Sequence, residues 1–106
     1  MKVREVLEML DEIKQNEITD RVKTNWINNV EGRVQCEMLG KTPENFKPVM
    51  GEDEDLTVPD AYSSIYILYL SAMIELCAGN IDRYGKYYDR FEKEMGVFAK
   101  KLIRER

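Results

Sequence analysis

Apolar residues recur at spacings of three and four in four separate stretches of this chain, the period of a helix with one buried face. In the first, about residues 2–14, Val3, Val6, Leu7, Leu10 and Ile13 share a side, with Glu5, Glu8 and Glu12 off it. In the second, about residues 19–39, Val22, Trp26, Val30, Val34 and Met38 recur at every fourth position and Ile27 widens the stripe. Thr19 suits the N-cap of that helix, with Ile18 before it as a staple, and Gly40 suits its C-terminal end. The third, about residues 60–78, takes Asp60 as its cap. It carries two stripes: Ile65, Leu68, Tyr69, Ala72, Met73 and Leu76, then Ile67, Leu70, Ile74 and Cys77. A helix apolar on both faces is either the centre of a bundle or is partly covered by another subunit. The fourth, about residues 81–104, follows Gly79 and an Asn80 cap. It places Ile81, Tyr84, Tyr88, Phe91, Met95, Phe98 and Leu102 on a heptad-like seam that suits packing within a bundle.

Pro43, Pro48, Gly51 and Pro59 interrupt the pattern over residues 40–59. Such a long connector is usually functional or disordered. Pro59 biases Leu56-Thr57-Val58 toward an extended form that could reach a neighbouring strand edge. Gly32, inside the second helix, costs about 1 kcal/mol relative to Ala; it either lets another backbone come close or is simply tolerated. Together these features predict one all-α domain, a four-helix bundle-like fold with a long loop between helices 2 and 3.

Charge adds a direction to this picture. The chain has 16 basic and 20 acidic residues, a net charge of −4. Residues 1–60 are acidic on balance and residues 61–106 basic, so copies or partners could stack head to tail. Duplex nucleic acid repels a negative surface unless the charge is segregated, so sequence-specific nucleic-acid binding is not expected. Cys36 and Cys77 are expected to be free thiols of a reducing compartment. No signal peptide is expected at the start. The most apolar stretch, 61–78, is broken by Ser63, Ser64, Ser71 and Glu75, so no membrane span is expected.

Candidate chemistry is sparse. The chain has no histidine, the commonest general base and zinc ligand. Gly40-Lys41-Thr42 lacks the glycine five positions earlier and the preceding strand that a phosphate loop needs. No serine stands in a nucleophile elbow. The sequence therefore offers no catalytic residue, no cofactor-binding residue and no metal ligand set. Glu52, Asp53, Glu54 and Asp55 form the sharpest charge cluster: a solvated loop, a docking surface for a basic partner, or a site for a hard cation. With Leu56 and Val58 they are candidate partner-contacting residues. So are Lys100, Lys101, Arg104 and Arg106 at the basic C-terminus, which also suit the negative end of helix 4. Tyr62, Tyr66, Tyr69, Tyr84, Tyr87 and Tyr88 suit core edges and interfaces.

Val58-Pro59-Asp60-Ala61-Tyr62 with Ile65-Tyr66, Tyr69-Leu70 and Ala72-Met73-Ile74-Glu75, then Gly79-Asn80-Ile81, Tyr84, Tyr88 and Phe91, resembles a family of small bacteriophage and prophage proteins. The opening Val3 to Leu7 and Asp11 to Lys14, and Trp26-Ile27-Asn28 with Val30-Glu31-Gly32, resemble the same group. These are the head–tail connector, or head-completion, adaptors of tailed phages. The resemblance implies a helical bundle without catalytic activity or cofactor, found in the virion neck and, before assembly, in the host cytoplasm. Its implied partners are copies of itself, closed in a ring of about a dozen, and the portal and tail-side proteins. The competing expectation is a small helical phage module that regulates or inhibits a host protein.

Overall fold

In the computed structural model, which describes residues 1–105, the apolar repeats form four helices in a bundle-like all-α fold, with no strand among the described residues. α1 (Val3–Ile13) buries Val3, Val6, Leu7 and Leu10, whereas Ile13 at its end is exposed and leaves the expected stripe. α2 (Asp20–Gly32) starts where expected: Thr19 Oγ1 accepts from the Val22 amide at 3.3 Å. Its inward row is Lys23, Trp26, Ile27 and Val30 rather than one beginning at Val22, which is exposed. The buried Lys23 ammonium reaches Asp11 at 2.9 Å and ties α2 to α1.

The second helix does not keep its pitch to residue 39. From Arg33 to Met38 the backbone is π-helical, and the Leu39 amide bonds back to the Val34 carbonyl at 3.0 Å. A π turn accommodates an extra residue, and here Val34 and Gln35 both point inward. Gly32 faces no backbone. A Cβ there would lie 3.9 Å from Cζ of the Phe46 ring, an ordinary contact. Gly40, at φ 74°, then turns the chain in a conformation that other residues rarely adopt.

α3 (Ser64–Cys77) begins later than Asp60, because Asp60–Tyr62 form a single 3₁₀ turn after Pro59. Asp60 caps nothing; its carboxylate lies 2.5 Å from the Met1 amino group. Ile65, Tyr66, Leu68, Leu70, Ala72 and Ile74 are all buried within the chain, so α3 is the bundle's centre rather than a face awaiting another subunit. Its exposed positions lie at its two ends, Ser64 at the start and Leu76 and Cys77 in the last turn. α4 (Ile81–Arg104) packs along it through Phe91, Met95 and Phe98, and Ile81 at its start is exposed. Tyr69 and Phe91 stand 5.1 Å apart between ring centres, and Tyr62 and Phe98 5.2 Å. Tilted aromatic pairs of this kind each add about 0.5–1.5 kcal/mol beyond area burial.

The connector between α2 and α3 is held by side chains of α2 and of the π-helical turn that follows it. Asn28 accepts from the Val49 amide at 2.8 Å and donates to the Val49 carbonyl at 2.9 Å. Gln35 does the same for Lys47, at 3.0 Å both ways. Glu31 accepts from the Thr57 amide at 3.1 Å and the Thr57 hydroxyl at 2.5 Å. Extended backbone cannot satisfy itself, so this polar row supplies what a neighbouring strand would. Val49, Leu56 and Val58 can then enter the core.

Candidate functional site

The acidic run, a candidate docking surface, is attached to the start of α1. The first amides of a helix have no intrahelical acceptor. Here the Val3 and Arg4 amides donate to the carbonyls of Glu54 and Glu52, at 3.1 and 2.9 Å. Asp53 pairs with the Arg4 guanidinium, and its carbonyl accepts from Lys2 Nζ at 2.8 Å. The Glu54 carboxylate accepts from the Met50 and Gly51 amides, and Asp55 lies 3.7 Å from Lys2 Nζ. Three of the four carboxylates are thus engaged within the chain. Leu56 and Val58 are core residues, and the Leu56 amide donates to the Met1 carbonyl at 2.8 Å. As partner-contacting residues these two are corrected, since no neighbour can reach side chains enclosed by their own fold.

The most enclosed polar cluster is Glu31 with Tyr66, Thr57 and Gln35. The Tyr66 hydroxyl donates to Glu31 Oε1 and accepts from the Val58 amide at 3.1 Å. Burial and the adjacent carboxylate push the Tyr66 phenol well above the usual tyrosine range. Glu31 is 1% exposed, so solvent and solute do not reach this carboxylate. Every buried side-chain polar atom among the described residues has a hydrogen-bond partner. None of their acidic and thiol groups converge in threes to hold a metal ion. Cys36 is half-buried and Cys77 exposed, both free. No described helix is long and apolar enough to cross a membrane.

A second enclosed ion pair anchors the end of α1. Lys14 Nζ lies 2.6 Å from Glu75 of α3, and Asn80 donates to the same carboxylate at 2.8 Å. These two bonds hold the Glu75 carboxyl below its ordinary range. The Lys14 ammonium also stands 4.8 Å from the Tyr87 ring centre, in cation–π reach.

What the fold leaves unused lies on the outside of α4. A residue two positions after a seam residue is rotated about 200° from it, onto the opposite face. At those positions stand Arg83, Lys86, Arg90, Lys93, Val97, Lys100 and Arg104, all exposed. This row runs about 32 Å along the helix, nearly the full 39 Å length of the molecule. Among the described residues none of its six cations has a carboxylate within 4.0 Å. Nearby charges are otherwise occupied: Glu92 is bound by Arg33 at 2.7 Å, and Lys101, beside the row, by Glu105 at 2.8 Å. Arg90 borders grooves of about 450 and 310 Å³ against the end of α1, the first also lined by Lys93 and the second by Arg83 and Lys86.

Of the basic residues marked at the C-terminus, Lys100 and Arg104 belong to this row, Lys101 flanks it, and Arg106 lies outside the described residues. Arg83, Lys86, Arg90 and Lys93 were not singled out from the sequence, although their offset of two from the seam is visible there. The outer face of α1 has the opposite sign. Glu5, Glu8 and Glu12 stand opposite the buried Val3, Val6 and Leu10, with Met9 beside them at 40% exposure. Glu8 meets only Arg4, at 4.0 Å, and Glu12 has no basic partner within that distance among the described residues. Comparison of the chain with family models, with characterised proteins and with solved structures gives no match in any of the three.

Proposed function

We propose that this protein is a non-catalytic assembly adaptor, one that joins portal to tail in the neck of a tailed-phage particle as a ring of identical subunits. The observation that carries the reading is the division of its polar chemistry. Interior polar side chains are bonded within the fold, while the outer face of α4 presents six cations with no carboxylate within 4.0 Å among the described residues. A surface row of one sign steers and orders association with a complementary surface. A 24-residue helix supplies a straight edge for it. The resemblance of the third and fourth helices to connector proteins supplies the setting.

The test is electron microscopy of particles assembled without this gene. Filled heads with no attached tails are the expected result. Heads joined normally to tails would overturn the reading. Capture of a single host protein, with neither portal nor tail protein, would replace it with the regulator alternative.

A further inference from the structure

We infer that the cationic face of α4 meets the acidic face of α1 on a second copy of this chain, a head-to-tail contact centred on Val97 of one copy and Met9 of the next. The inference rests on the adaptor reading and names the surfaces through which copies would join. Each face lies opposite the helix's buried side, and its contacts within the molecule are few: Glu5 accepts from the Lys2 amide at 3.0 Å, Glu8 lies 4.0 Å from Arg4, and the α4 cations that border the grooves have no carboxylate within 4.0 Å among the described residues. The signs are complementary, and both rows keep the three-and-four spacing at which helix side chains align along an edge. Each row also has one exposed apolar side chain within it. Val97, 50% exposed, stands between Lys93 and Lys100; Met9 stands among Glu5, Glu8 and Glu12. An apolar centre with a charged rim is the common anatomy of a protein contact. Because the two faces are different patches, the contact is heterologous, and repeated copies close into a ring or continue as a filament.

Nearby charges leave the rows dominated by one sign. Asp82 and Asp89 stand one turn before Lys86 and Lys93 on the same side, two carboxylates against six cations, and Glu94 shares a groove with Lys93. Arg4, beside the α1 row, is drawn to Asp53.

A charge exchange tests the contact. One full-length variant carries Lys93→Glu and Lys100→Glu, the other Glu8→Lys and Glu12→Lys. Circular dichroism melts check that both remain folded. By sedimentation at low ionic strength, the unaltered protein should self-associate, and salt should weaken it as the Debye length falls from about 10 Å at 0.1 M. Each variant alone sets like charges together and should associate on the order of a hundredfold more weakly. Mixed in equal amounts they should associate again, because each α4 then meets an α1 of opposite sign. A monomeric unaltered protein, or a mixture that fails to recover, overturns the contact. So does binding of the α4 face to duplex DNA with self-association unaffected. Particles that need the gene while the purified protein stays monomeric would sink this contact and leave the adaptor reading standing. Recovery in the mixture with normal particles lacking the gene would do the reverse.

Discussion

Two polar rows run along helices in this molecule, and their fates are opposite. The row on α2 and its π extension, Asn28, Glu31 and Gln35, faces inward and is bonded to the connector at almost every donor and acceptor. The row on α4, Arg83 through Arg104, faces outward, and its cations have no carboxylate within 4.0 Å among the described residues. The first is polar because an irregular backbone must be satisfied in a dry interior. The second has no such structural use. Polarity on a helix is thus not one signal: an inward row holds the fold, and an outward row of one sign is available to a partner.

Substitutions separate the two rows by size of effect. Phe91→Ala, under Tyr69 and Tyr88 on the inner side of α4, should cost about 3–5 kcal/mol in a urea melt. That scale is large against the 5–15 kcal/mol typical of a whole domain. Glu31→Ala should cost about 3 kcal/mol, because it strands the Thr57 amide and Tyr66 hydroxyl without acceptors. Glu31→Gln should cost less, since an oxygen remains. Asn28→Ala and Gln35→Ala should each cost about 1–3 kcal/mol, for the two backbone groups each leaves unpaired. Lys86→Ala or Lys93→Ala should stay within about 0.5 kcal/mol. A melt in which the α4 cations matter as much as Asn28 would erase the distinction between the rows.

Acid and alkali probe the enclosed groups. Glu75 is held below its ordinary pKa by Lys14 and Asn80. Its contribution is therefore complete above the ordinary carboxylate range and is lost as pH falls through and below it. Lys14→Ala should remove part of the acid sensitivity of the melt. Tyr66 is held as the phenol. Its contribution is complete below the usual tyrosine value of about 10 and falls as pH rises past it, when the unfolded chain loses that proton first. Tyr66→Phe should flatten the alkaline limb.

Much of the helical frame was legible from spacing alone. Val3 to Leu10 and Phe91 to Phe98 announce α1 and α4, and Thr19 and Gly40 mark the ends of the second helical segment. Errors collect where tertiary partners decide. Ile13, Val22 and Ile81 have the right spacing but stand near helix ends, and they are exposed. Asp60 looks like a cap, yet Pro59 and a 3₁₀ turn delay the helix to Ser64. The acidic run looked free because its partners, Lys2 and Arg4, are about fifty positions away. Likewise, nothing local links Asn28 to Val49 or Gln35 to Lys47. An outward polar face and an inward one have the same period, and only the fold separates them. Of the α4 cations only Lys100 and Arg104 stand out in the sequence, as part of a basic C-terminus; the other four need the seam's buried side to be known.

The side-chain bonds from Asn28, Glu31 and Gln35 make residues 47–58 part of the cooperative unit despite their lack of regular structure. Amides at Lys47, Val49, Thr57 and Val58 should exchange with solvent deuterium as slowly as those of α3, opening only when the whole molecule does. A protease offered the native protein should find few places to cut in this segment, where its irregular, proline-punctuated sequence would suggest the first nick.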